Sequence, residues 1–87
     1  MTHAHADTVP IGTVTHYYSH LHVAAVTLDD TLHRGERIRI AGHTTDVVQG
    51  VDSMEVENHR VEMAGRGDDV AIRVADRVRE HDRVYRE

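Results

Sequence analysis

Leu32-His33-Arg34-Gly35-Glu36-Arg37-Ile38-Arg39-Ile40-Ala41-Gly42 is the stretch that decides the fold. A leucine closes one element, Gly35 turns the chain, and Ile38 and Ile40 then alternate with Arg37 and Arg39. A period of two belongs to a half-buried strand, apolar on one face and charged on the other. Gly35 and Gly42 can each take a positive φ without a Cβ clash, so both are read as turn glycines flanking this strand. The same grammar returns at Gly67 to Val74, where Gly-Asp-Asp leads into Val70, Ile72 and Val74 with Arg73 between the last two. Two turn-plus-alternation units in so short a chain predict a small β-barrel.

Upstream, Val9 to Tyr18 carries the first strand signal. Pro10 suits a strand's beginning, where its missing N–H costs least. Gly12 allows a bend or bulge, and Thr13, Val14 and Thr15 favour extended backbone. Ser19 to His22 reads as a turn and His22 to Leu28 as the returning strand, broken by Asp29-Asp30. Downstream, a polar turn at 42–46 leads into a long β-prone run from Asp46 to Glu57, with Gly50 marking a bulge or bend. Asn58-His59 turns into a short segment from Arg60 to Met63, and Val84-Tyr85 supplies a closing strand. Six or seven short strands at this spacing predict an all-β, closed antiparallel barrel of about six strands, since closure removes adhesive edges. Residues 9–87 form that single domain and 1–8 a disordered tail. The expected core comprises Val14, Val23, Val26, Leu28, Leu32, Ile38, Ile40, Met54, Val70, Ile72, Val74 and Val84.

Composition narrows the function classes. The 87 residues leave room for one core, and a chain of this size buries only roughly 60% of its unfolded surface. With no Cys, disulfides, thiolate zinc sites and cysteine catalysis are excluded. No apolar run approaches a membrane span and no signal-peptide core is present, so the chain is read as soluble, cytoplasmic and monomeric. Fifteen acidic residues face ten basic ones, every one of them Arg. An acidic, lysine-free surface fits a halophilic protein, and codon bias in a GC-rich genome produces the same Lys-to-Arg trade. The net charge of −5 opposes tight nonspecific phosphate binding. Protonating all nine histidines would carry the formal charge from −5 to +4.

Several constellations compete for chemistry. His16, His20 and His22 cluster, either as a His-rich surface hairpin or as a metal site. His3 near a free N-terminal amine is a possible copper or nickel ligand, against a solvated tail as the plainer reading. Glu55 and Glu57 are expected on one strand face and, with Asp52, Asp68 and Asp69, either solvate the surface or supply an acid–base pair. Gly65 and Gly67 form no phosphate-binding loop because no Lys-Ser/Thr pair follows, so no nucleotide is expected. Arg37, Arg39 and Arg73, with Arg60, fall on outward strand faces, where guanidinium forks either pair with neighbouring carboxylates or form an RNA- or protein-facing patch.

Gly12-Thr13-Val14, Leu32 to Gly42, Ser53-Met54-Glu55-Val56 and Gly67-Asp68-Asp69-Val70-Ala71-Ile72 together resemble domain 2 of the translational GTPases, the barrel that follows the nucleotide-binding domain in elongation factor Tu. The order holds from about residue 9 to 87. The chain is similar to short translation elongation factor-like proteins, and also to the C-terminal barrel of the collagenase-like peptidase family, whose members include RNA-modification factors. The resemblance implies that Glu55 matches a glutamate that meets the terminal ribose of tRNA, and that Asp69 lies where an asparagine nears the aminoacyl group. Glu57 replaces an aromatic residue of that pocket, and His81 stands where a turn glycine is usual. The nucleotide-binding domain has no counterpart here, so the resemblance implies no GTPase activity. The expectation is a non-catalytic, cofactor-free module that contacts RNA or the ribosome through Arg37, Arg39, Arg60, Arg73, Glu55 and Asp69. A protein–protein adaptor is the alternative, and a His-dependent metal or pH-responsive protein the third reading.

Overall fold

The computed structural model describes residues 9–87. The expected tail at 1–8, with His3 and His5, lies outside the described residues. Ten strands follow in order: β1 (Gly12–Tyr18), β2 (Val23–Leu28), β3 (Leu32–His33), β4 (Arg37–Ala41), β5 (Asp46–Gly50), β6 (Met54–Val56), β7 (His59–Val61), β8 (Met63–Ala64), β9 (Asp69–Arg73) and β10 (Arg83–Arg86). Eight of them build one curled antiparallel sheet in the order β5-β4-β10-β1-β2-β9-β6-β7, and β3 pairs with β8 separately. The described residues contain no helix long and apolar enough to cross a membrane.

The all-β expectation holds, but the sheet is a half-barrel and not a closed six-stranded barrel. β5 and β6 are consecutive in sequence, yet β5 forms one margin of the sheet and β6 lies beside the other. The connection 51–53 therefore crosses the open side, held by Val51 N–H donating to Glu36 O at 2.9 Å and Gly35 N–H donating to Val51 O at 2.8 Å. Gln49 of β5 reaches over to β9: its amide donates to Arg73 O at 2.8 Å, and its carbonyl accepts from Ala75 N–H at 2.7 Å. One side-chain amide thus satisfies backbone groups that a closing ladder would otherwise satisfy.

Alternation places the core. Ile38 and Ile40 of β4 are fully buried while Arg37 and Arg39 face outward, and Val70 and Ile72 of β9 repeat the pattern. Ile11, Ala24, Val47, Val51, Ala64 and Val78 complete the core beyond the expected set. Val23 departs from expectation. It lies three residues from Val26, and in a period-two strand without a bulge an odd separation puts two residues on opposite faces. The register of β2 is regular against β9, so Ala24, Val26 and Leu28 point inward and Val23 outward.

The special backbone positions are only partly those expected. Gly35 and Gly67 have φ of 95° and 89°, as their turns require. Gly42 has no positive φ and owes its place to packing against Asp82. The irregularity in β1 falls between Val14 and His16, not at Gly12, and Gly50 simply ends β5. The β6–β7 hairpin turns at Glu57 and Asn58, with φ of 50° and 68°. Two consecutive positive φ values make a twist-matched two-residue turn. Glu57 therefore leaves the strand, and its expected shared face with Glu55 does not exist. His81, at φ 78°, occupies the left-handed position where the resemblance expects glycine, and its N–H donates to Val14 O at 2.8 Å.

Arg86 ties the C-terminal strand to the loop around β3. It donates to Glu36 Oε2 at 2.8 Å and to Thr31 O at 2.6 Å, and stands 3.4 Å from Asp30 Oδ2. Burial pushes the Glu36 carboxyl up, but the His33 amide and the Arg86 guanidinium outweigh it and hold the group below the ordinary carboxylate range. A depressed folded pKa gives stability that is complete above the unfolded pKa and is lost as pH falls through the folded one. Arg86→Met should therefore cost about 1–2 kcal/mol at neutral pH and flatten the acid-side decline. Urea melts of both proteins at neutral and acid pH test this, and parallel declines would refute the assignment.

Candidate functional site

The strand register brings several side chains to one place on the outer face. Ala71 of β9 lies opposite both Ala25 of β2 and Glu55 of β6, and Glu55 lies opposite Arg60 of β7. Ala25 in turn lies opposite His16 of β1. This makes one outward row, Arg60-Glu55-Ala71-Ala25-His16. Two residues along the strands, Arg73, Val23 and Tyr18 form a second row. The alanines of the first row make a low floor, because a methyl group rises little from the pleat. The β1–β2 turn raises Tyr18 and Leu21 on one side, and the β6–β7 hairpin raises Asn58 and Arg60 on the other.

The result is an open cleft of about 500 Å³ lined by Tyr18, Leu21, Val23, Ser53, Glu55, Asn58, Arg60, Ala71 and Arg73. Its apolar wall is solvent-exposed: Tyr18 is 45% and Leu21 61% accessible. The His16 ring meets Tyr18 edge-on at 4.3 Å, and His16 Nδ1 lies 3.3 Å from Glu80 Oε2. These contacts help to orient the Tyr18 ring at the cleft edge.

The cleft's charges are unpaired. Arg60, Arg73 and Glu55 take part in no ion pair among the described residues, whereas Arg34 pairs with Glu62 at 3.2 Å and Arg39 with Asp46 at 2.9 Å. An unpaired guanidinium on a chain of net charge −5 presents a local positive site that the whole-molecule charge conceals.

Of the residues singled out in the sequence, Glu55, Arg60 and Arg73 come together here. Asp69 lies in an adjoining depression of about 180 Å³, and its Oδ1 accepts from the Thr27 hydroxyl at 2.7 Å. Arg37 and Arg39 do not join them, because β10, β1 and β2 intervene between β4 and β9. Arg39 forks onto Asp46, Nε to Oδ1 and Nη2 to Oδ2 both at 2.9 Å. That hydrogen bond, against opposing desolvation, holds the Asp46 carboxyl low. The expected arginine patch of Arg37, Arg39 and Arg73 is therefore not one surface. Tyr18, Leu21, Val23, Asn58 and Ala71 escaped the sequence reading. For Tyr18 and Leu21 the available signal was an apolar residue just before the Ser19–His22 turn and another within it. His20 and His22 fall in that turn, and among the described residues no group of three or more His, Asp or Glu could hold a metal. Ser53 has no imidazole beside it in the cleft.

No protein-family model matches the chain. Over 78 residues it is 38% identical to an uncharacterized protease of Methanocaldococcus jannaschii, covering 88% of this chain and 19% of that protein. It is 37% identical over 78 residues to a collagenase of Porphyromonas gingivalis, covering 87% of this chain and 22% of the relative. The chain thus spans about a fifth of the length of the curated relatives it matches. Among solved structures, the C-terminal domain of a Geobacillus thermoleovorans protein described as a U32 peptidase superposes with a TM-score of 0.86. That match has 15% identity and covers 98% of this chain and 99% of that one. Its selenomethionine variant gives 0.84 at 15% identity, over 90% and 99%. These relatives overturn the translation and RNA-binding expectation and leave the elongation factor Tu likeness without support. The other resemblance stands: the chain's sequence relatives are named as a protease and a collagenase, and its β fold is that of a U32 peptidase C-terminal domain.

Proposed function

We propose that this chain is a C-terminal-type β domain of the U32 peptidase and collagenase family, and that it binds polypeptide in the Tyr18–Arg73 cleft without cutting it. The observation that carries this reading is the cleft itself: an exposed apolar wall of Tyr18 and Leu21 facing Arg60, Arg73 and Glu55, which have no ion-pair partner among the described residues. Apolar surface plus a few convergent polar groups is the usual make-up of a binding site. The relatives' names, protease and collagenase, make polypeptide the natural ligand class. The non-catalytic half is supported by the lining, which offers Ser53 no imidazole and Glu55 no second carboxylate.

Titration of the 87-residue chain with fluorescently labelled denatured collagen tests the reading. Saturable binding is expected, weakened at least tenfold by Tyr18→Ser with Leu21→Ser, and the labelled polypeptide should remain intact on a gel. Absence of binding, or binding unchanged by the double substitution, would overturn the cleft assignment. Cleavage by the purified chain would overturn the non-catalytic half.

A further inference from the structure

We propose that the cleft receives the free C-terminal residue of a polypeptide whose last side chain is apolar, an inference that rests on the polypeptide-binding reading. Arg73, Val23 and Tyr18 form a single row across adjacent strands. Neighbouring strands lie roughly 4.8 Å apart, so Arg73 offers a partner for a carboxylate close beside the apolar Val23 and Tyr18. The α-carboxylate and the side chain of a terminal residue leave the same Cα and meet that span.

The polar inventory fits the same end group. Extrapolating the β6–β9 register places Ser53 opposite Arg73, and Arg60 stands on β7 beyond Glu55. Arg60 and Arg73 are separated by two strand spacings and two residues, roughly 12 Å between Cα atoms. Arginine side chains of about 6 Å can converge from there on a single carboxylate. Two guanidiniums and the Ser53 hydroxyl supply donors for a carboxylate, which only accepts. Glu55 is the one carboxylate in the lining, suited to accept from the N–H of the terminal residue. The two arginines also complement the ligand's charge although the chain as a whole is acidic.

The test compares three labelled twelve-residue peptides titrated into the chain by fluorescence anisotropy. One ends in leucine as the free acid, one is the same peptide as its C-terminal amide, and one is the amide with an aspartate beside the leucine. The free acid should bind at least tenfold tighter than the amide. Arg73→Ser and Arg60→Ser should each erase most of that preference, with circular dichroism unchanged. Raising the salt should compress the difference. If acid and amide bind alike and both are weakened by Tyr18→Ser with Leu21→Ser, the end-group proposal fails while the polypeptide reading stands. If the aspartyl amide matches the free acid, the site reads a side-chain carboxylate and the terminus assignment is overturned.

Discussion

Ile40→Ala is expected to destabilise the chain by about 2–5 kcal/mol, the range for removing a large aliphatic side chain from a packed interior. Ile40 has no solvent-accessible surface and lies between Val84 of β10 and Val47 of β5 in the sheet. Neighbours held by ladders on both sides cannot close over the void. An 87-residue domain is stable by roughly 4–13 kcal/mol, so this one change removes a large share of the total. At roughly 4–8 °C per kcal/mol, the melting midpoint should fall by about 10 °C or more. Arg39→Ala, one residue earlier on the outer face, removes an exposed pair with Asp46 and should cost under about 1 kcal/mol. Thermal melts followed by circular dichroism decide the matter. Equal midpoints for the two variants would mean that the Arg-Ile-Arg-Ile alternation does not define the core.

That contrast marks what was legible beforehand. Period-two alternation is a local property, so Ile38, Ile40, Val70 and Ile72 could be assigned to the interior from spacing alone. Val23 faces outward because its odd separation from Val26, not its apolar side chain, decides its face. Closure was over-read because it depends on how far a sheet curls, which here is settled by Gln49 bonding Arg73 and Ala75, a contact spanning more than twenty residues. The cleft is non-local in the same way. Tyr18, Arg60 and Arg73 are far apart in sequence and meet only through the registers of β1, β2, β9, β6 and β7.

The functional misreading has a related cause. The motifs that suggested a translation-factor barrel are turn glycines followed by alternating strands. Such motifs encode how a small curled sheet is built, and unrelated functions share them. Glu55 and Asp69 were carried over on motif position, yet Asp69 already accepts the Thr27 hydroxyl and lies outside the main cleft. What distinguishes the surface is which charges remain unpaired after folding. Arg39 finds Asp46 and Arg86 finds Glu36, while Arg60 and Arg73 find no ion-pair partner among the described residues.

Gly42→Ala is the second large effect expected, about 2–4 kcal/mol, although this glycine has no positive φ. A Cβ built there overlaps the Asp82 carboxylate. Asp82 is 5% exposed, its Oδ2 accepts from Arg79 N–H at 2.8 Å, and its backbone carbonyl accepts from Val14 N–H at 2.8 Å. The added methyl group fits only if the carboxylate swings away, which leaves the Arg79 amide without its acceptor and a charged group buried without its donor. Asp82→Ala alone should cost about 1–2 kcal/mol by losing that bond, and it also removes the obstacle. In the double variant the two costs should therefore fall short of their sum by at least about 1 kcal/mol. Urea unfolding of the four proteins measures the coupling. Additivity within about 0.5 kcal/mol would show that Gly42 is required for some reason other than room for Asp82. Strong coupling would establish that the turn after β4 and the turn before β10 are specified jointly, by one missing side chain and one buried carboxylate.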